Sequence, residues 1–407
     1  MSAQTLISPS PDGPLKDRDI SLAARLRGLV RADDATRVGV LQVVIGLAVI
    51  WAVFYILNPA FLSPTNLTNL ALQIVAVATM SIGVVLVLLI GEIDLSIGTV
   101  SGLAASVMAV LNVSQGLPAA WAIFLALGCG AVVGLIHGLI ISTFGVPSFV
   151  VTLGGLIGWQ GLQLLLLGDT GAINLTDPAI EGLTSSFFAP WVGWALTAIL
   201  VAAISVRTFG VRVNRRKVGL NNTPVAADMI RLAVIALVLA TTVLVLSASR
   251  GIPLSVLLLL GLVLLMDFIC RRTLFGRRLF TVGGDAQAAS RVGVHVKTTT
   301  VLVFVLVSTF AALGGILSAS RLLAVNETSG AGEILLNAIA GVVIGGTSLF
   351  GGRGSVWSAV LGALVIGSIS NGMDLLALPS PVKYMITGAV LIAAVIFDAV
   401  MRRRQSR

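Results

Sequence analysis

Two carboxylates stand between long apolar runs in the string Gly91-Glu92-Ile93-Asp94-Leu95-Ser96-Ile97-Gly98. Ionisable groups at the edge of a membrane span are costly and often functional, which makes Glu92 and Asp94 candidates for a pathway or a hinge. Asp94 also has a purely structural reading: it accepts the backbone N–H of Ser96 or Ile97 and caps the helix that follows. The weight falls on capping. A second string, Gly283 to Val294, holds Gly284, Asp285, Gln287, Ala288, Ala289, Arg291 and Gly293, a short helix-capable segment between glycines inside a basic loop. A third, Gly345-Gly346-Thr347-Ser348-Leu349-Phe350-Gly351-Gly352-Arg353-Gly354, puts two hydroxyls among five glycines.

Other chemistry is excluded by count. Cys129 and Cys270 fall in different apolar runs, and His137 and His295 are the only histidines, so neither a metal cluster nor a disulfide framework can be built. His137, in a glycine-rich run, reads as a packed polar residue bonding a neighbouring helix. None of the four lysines follows a glycine, so the Gly-Lys-Ser/Thr end of a phosphate loop is missing and the chain is not expected to hydrolyse ATP.

The elements that must position these strings follow from composition. The 407 residues are 57% apolar and 11% charged, against about a quarter charged in soluble domains. Runs without charge match a hydrocarbon core of about 30 Å, crossed by about 20 helical residues. They do not alternate as barrel strands do, so the expected fold is all-α and polytopic, with about ten to twelve transmembrane helices. Twelve segments qualify, near 38–57, 69–90, 97–114, 119–143, 148–168, 187–206, 231–248, 252–269, 299–319, 333–350, 355–375 and 382–400. The third and tenth are interrupted by glycine and are candidates for broken or re-entrant helices. Residues 1–37 form a polar tail, 38–400 one membrane domain with a loop at 271–298, and 401–407 a basic tail. Gly130, Gly134 and Gly138, and then Gly154 and Gly158, recur every four residues, a spacing that lets helix backbones approach closely.

Basic residues stay on the cytoplasmic side of short loops. Of 26, six lie in Lys16–Arg37, five in Arg207–Lys217, six in Arg271–Lys297 and four in Arg402–Arg407, all on one side of twelve spans. Only Arg250, Arg321 and Lys383 fall opposite. Both termini and the basic loops are therefore expected in the cytoplasm. The net charge of +9 is accounted for by topology and anionic lipid, with no nucleic-acid partner.

At these three strings the sequence resembles the permease subunits of bacterial monosaccharide ABC importers, of the ribose, xylose and galactose type. The family patterns Gly-Gly-Ile-Asp-Leu-Ser, Gly-Gly-Asn-Pro-Glu-Ala-Ala followed by Gly-Ile, and Gly-Gly-Thr-Ser-Leu-x-Gly-Gly occur here in order, over about residues 40–400. Glu92 replaces a glycine and Gln287 a frequent glutamate. An insertion between Arg207 and Phe268, with Asn221-Asn222-Thr223-Pro224 and a tight turn at Ser249–Pro253, resembles that of xylose permeases.

The resemblance implies a type II ABC importer bundle in the bacterial inner membrane. Two copies would work with a separate ATP-binding subunit, which uses the ATP and Mg, and an external sugar-binding protein, with no cofactor on this chain. Gly284 to Gly293 becomes the ATPase-coupling segment. Ala288 and Ala289 are expected to offer it a small flat face, so that bulk at Ala289 or Gly293 should uncouple more than loss of Gln287. Glu92, Asp94, Ser96, Gly345, Gly346, Thr347 and Ser348 become structural or pathway positions. With 6% aromatic residues, specificity is expected mainly in the binding protein. D-Xylose leads as substrate, with ribose, galactose or several sugars as alternatives. An ion-coupled secondary transporter, which needs acids near the midplane, is disfavoured because Asp267, Asp374 and Asp398 fall near span ends.

Overall fold

The computed structural model describes residues 34–217 and 225–405, so Asn221 to Pro224 and most of the N-terminal tail lie outside the described residues. Fifteen α-helices occur there. Twelve follow the expected spans: α1 Asp34–Leu57, α2 Pro64–Leu89, α3 Ile97–Ala109, α4 Ala119–Phe144, α5 Ser148–Leu167, α7 Pro190–Lys217, α8 Val225–Ser247, α9 Leu254–Arg272, α12 Val296–Leu322, α13 Gly332–Ile344, α14 Trp357–Leu375 and α15 Ser380–Gln405. The others are short: α6 Pro178–Ser185, α10 Leu274–Gly284 and α11 Ala286–Arg291. Among the described residues nine helices are long and apolar enough to cross a membrane.

Several ends differ from the sequence expectation. Helix α7 continues through Arg207 to Lys217 because Arg and Lys are good helix formers and nothing there breaks the turn. Arg212 secures that extension by an ion pair of 2.6 Å to Asp228 on α8. The tenth segment stops at Ile344, after 13 residues, because Gly345 and Gly346 end the helix. The third gives way to a π-helical turn at Val110–Ser114. Both were candidates for interruption.

Helix α2 is the centre of the bundle, with 18 of its 26 residues buried. Acyl chains are as apolar as leucine, so this burial gains little from the hydrophobic effect and depends on close packing. Gly83 on α2 meets the backbone of Val307 at 3.1 Å, measured from where its Cβ would stand. Gly130, Gly134 and Gly138 of α4 likewise press on the α12 backbone at Ser308, Phe304 and Val301, as their spacing anticipates. Gly154 and Gly158 do not follow suit. Nothing lies within 4 Å of either, because α5 turns its polar stripe, Ser148, Thr152, Trp159 and Gln163, inward and leaves the glycines on its outer side.

Two small antiparallel ribbons tie helix ends. β1 (Ala172–Asn174), after α5, pairs with β4 (Ala324–Asn326), after α12. β2 (Phe187–Phe188) pairs with β3 (Ile252–Pro253) at the turn between α8 and α9.

Helix α13 runs alongside α2 in the same direction. Ser81 Oγ donates to Ala338 O at 3.3 Å, and nine residues further on Thr347 sits beside Gly354, which lies at 3.1 Å from the Leu89 side chain. Where α13 begins, its preceding loop meets the start of α3: the Gly98 Cβ position lies 2.6 Å from Gly330 O. The two interrupted spans thus cross near mid-depth.

Candidate coupling junction

The three strings singled out in the sequence converge at one end of the bundle, the end that carries the basic loop. Gly352 N donates to Leu89 O at 3.0 Å, joining the third string to the end of α2. The Gly351 Cβ position lies 2.7 Å from Gly283 O and 3.1 Å from Gly91, so one glycine from each string meets at a single point. Gly351 (φ +84°) and Gly91 (φ +79°) take left-handed backbone there, which side chains with a Cβ rarely adopt. Ser348 closes the third string, its N–H donating to Arg353 O at 2.9 Å and its Oγ accepting from Phe350 N at 3.1 Å. Gly345 packs its backbone on Ser358, whereas Gly346 is open at φ +97°. Thr347 is buried against Gly354.

The first string is strapped to α5. Ile93 N donates to Ser148 Oγ and Leu95 N to Thr152 Oγ1, both at 3.1 Å. Asp94 is 2% exposed. Its Oδ1 accepts from Ser96 N at 2.8 Å and Ser96 Oγ at 2.6 Å; the N-cap of α3 is Ser96, without a side-chain cap bond, so the cap expected of Asp94 is corrected to a brace on the turn just before the helix. Glu92 is half-buried beside it. Two turns along the same face of α5 from Thr152, Trp159 Nε1 donates to His137 Nε2 at 2.9 Å, and the His137 ring occupies the space that a side chain on Gly155 would need. The lone histidine therefore bonds a neighbouring helix.

Replacing Asp94 by Ala leaves the Ser96 N–H and hydroxyl buried without their acceptor, and is expected to cost about 1–3 kcal/mol. Asn keeps an Oδ1 acceptor and should lose less. Thermal melts of the purified variants check this order, and equal losses would remove the carboxylate from the turn.

The second string forms α11. Asp285 caps it, Oδ1 accepting from Ala288 N at 2.9 Å, and Gly293, at φ +85°, turns the chain out of it. Gly284 has nothing near its Cβ position. Gln287, Ala288, Arg291 and Val292 are exposed. Ala289 is not: it is 1% exposed and packs with Leu279 and Val282 in the main core. The flat face expected of Ala288 and Ala289 is thereby corrected to one led by Ala288, with Val292 76% exposed beside it. At Gly293 a bulky residue would be strained by the backbone whether or not a partner binds. Helix α10, unforeseen in the sequence, precedes α11; its only cue was Thr273, whose hydroxyl accepts from Gly276 N.

A bundle of broken and glycine-packed spans, with its marked strings gathered around a short exposed helix at one end, is the build of a transport permease that takes its energy from another chain. Residues 66–395 match the family described as the branched-chain amino acid transport system / permease component, and the chain belongs to this family of ABC importer permeases, whose ATPase is a separate subunit. It is 34% identical over 369 residues to the xylose transport system permease protein of Escherichia coli K12, covering 89% of this chain and 93% of that one. Its likeness to the xylose transport system permease protein of Haemophilus influenzae is 32% over 361 residues, with coverage of 88% and 96%. To the ribose import permease protein of Escherichia coli K12 it is 29% over 355 residues, 87% and 92%. No solved structure matches. The chain is thus a multi-pass membrane permease of an ABC importer, a family that works with an ATP-binding subunit and a substrate-binding protein.

Proposed function

We propose that this permease imports D-xylose across the bacterial inner membrane as a homodimer, with the junction end and both termini in the cytoplasm. The observation that carries the coupling half of this reading is the meeting of Gly91, Gly283 and Gly351 at one point beside α11. An ATPase that pushes α11 moves α10, and Gly283 at its end bears directly on the end of α2 and on the strap to α5. A rigid push is thereby passed to the centre of the bundle, as alternating access requires. The ATPase holds the ATP and Mg; this chain contributes Gly284, Asp285, Gln287, Ala288, Arg291 and Gly293 as the docked segment, with Ala289 anchoring it from inside. Anionic lipid meets the basic ends of α7 and α9.

Likeness to the two xylose permeases, with the insertion that forms the end of α7 and helices α8 and α9, supports xylose over ribose or galactose. A strain lacking this gene is expected to lose high-affinity, ATP-dependent xylose uptake at least 10-fold while ribose uptake holds. Unchanged xylose uptake with lost ribose or galactose uptake would overturn the substrate and leave the family intact.

A further inference from the structure

The register of α13 on α2 gives the depth of its first turn. Ala338 is level with Ser81, and Thr347, three residues past the end of α13, shares Gly354 as a neighbour with Leu89 at the end of α2. Five residues before Ala338, Glu333 is therefore level with Ala76, midway along Pro64–Leu89. A second line gives the same depth: the Gly330 loop packs on Gly98 and Gly102, and neighbouring Ser101 packs on Gly315 of α12, about 10 Å along the helix axis from its end at Leu322 at 1.5 Å per residue. Glu333 is nevertheless exposed, as is Leu336 one turn on. A carboxylate facing acyl chains at mid-depth is strongly disfavoured, and such groups face water-filled cavities or protein.

Neither of the two best-formed cavities among the described residues suits a sugar. The cavity beside the crossing, between Ser101, Gly102, Ser318 and Gly330, holds about 10 Å³, enough for a single water. A groove of about 370 Å³ between α9 and α12 is lined by Leu257, Leu258, Leu262, Leu313 and Leu317 and has no side chain to bond a hydroxyl. A route along an outer face of the protomer needs a polar group at mid-depth, and Glu333 supplies one.

We infer that Glu333 lines the sugar's passage at mid-depth, its carboxylate accepting hydrogen bonds from the hydroxyls of an uncharged monosaccharide, on a face turned toward a second copy of this chain. The inference rests on the sugar-permease reading. Leu336 gives the same face an apolar neighbour for the ring.

The test uses the full transporter, with its ATPase and binding protein, in proteoliposomes. In a Cys129→Ser, Cys270→Ser background, Glu333→Cys is expected to react with a charged, membrane-impermeant thiol reagent at least 10-fold faster than Val132→Cys. Val132 lies midway along α4 and is likewise exposed. Glu333→Leu is expected to cut D-xylose uptake at least 10-fold, with Glu333→Gln in between. Equal labelling at the two positions, or wild-type uptake by Glu333→Leu, overturns the inference. If Glu333→Leu fails to assemble, the labelling comparison decides alone. A wild-type transporter that moves no sugar would instead sink the permease reading, and the labelling result would stand apart from it.

Discussion

Ala288→Trp is expected to reduce sugar-stimulated ATP hydrolysis at least 10-fold and to weaken co-purification of the ATPase, while the permease still inserts and folds. Ala288 is exposed on a six-residue helix held from both sides, by the Asp285 cap and by the turn at Gly293. A helix so fixed cannot rotate to hide an indole, so the added bulk must enter whatever groove the partner closes around it. Ala289→Trp is the contrasting case. Its methyl group already fills a site in the core, where overpacking typically costs 1–3 kcal/mol, and the indole is far larger, so this variant should lower the yield of folded protein. Gln287→Ala should be mild in both assays, because no contact within the chain depends on that amide. Pull-down with purified ATPase and a vesicle ATPase assay separate the outcomes. Normal coupling by a well-folded Ala288→Trp protein would take α11 out of the mechanism.

Gly283→Val is expected to abolish transport and to lower the amount of folded protein sharply. A Cβ on Gly283 would run into the carbonyl oxygen of Leu89 and stand 2.8 Å from Gly352 N, and it would do so where these two groups bond each other at 3.0 Å. Neither neighbour is a flexible side chain that could swing away. Relief requires α10 to leave the end of α2, which breaks the connection from α11 to the bundle. Gly284→Ala, one residue on, meets nothing within 4 Å and should keep near-normal expression and uptake. Expression with a C-terminal reporter and xylose uptake check the pair. Similar behaviour of the two variants would show that the close approach at Gly283 is dispensable.

Much of this arrangement was legible in the sequence because a bilayer writes itself into composition. Twelve apolar runs became twelve helices, and the three marked strings were visible as departures from apolar monotony. What escaped was whatever depends on partners distant in sequence. The thirteenth helix read as a span from 333 to 350, since hydropathy runs on through Leu349 and Phe350; only its register against α2 places Glu333 at mid-depth rather than at an edge. Ala288 and Ala289 could not be distinguished, because six residues hold too few turns to reveal a buried side. Gly154 and Gly158 share the spacing of Gly130, Gly134 and Gly138, yet only the α4 glycines meet another backbone. Spacing shows that a helix has a small-residue side, and not which way that side turns. Two of the three basic residues opposite the main clusters also find local accommodation: Lys383 pairs with Asp374, and Arg250 lies 6.0 Å over the Phe187 ring.

The position of α2 at the centre carries a consequence for how the protein is made. It precedes all but one of the described helices, yet α12 and α14, which cover much of it, begin at residues 296 and 357. Asn66 on α2 bonds Asn371 at 2.8 Å, a partner 305 positions later in the chain, and Ser81 bonds a carbonyl 257 positions later. Through most of synthesis these groups have no final partner, so α2 must wait in lipid or beside the insertion machinery with its polar side uncovered. Helix α13, too short to cross by itself, can take its place only after α2 is there to receive it. The last hundred residues therefore assemble the centre of the molecule, and a nascent chain truncated before Trp357 would be inserted without being folded.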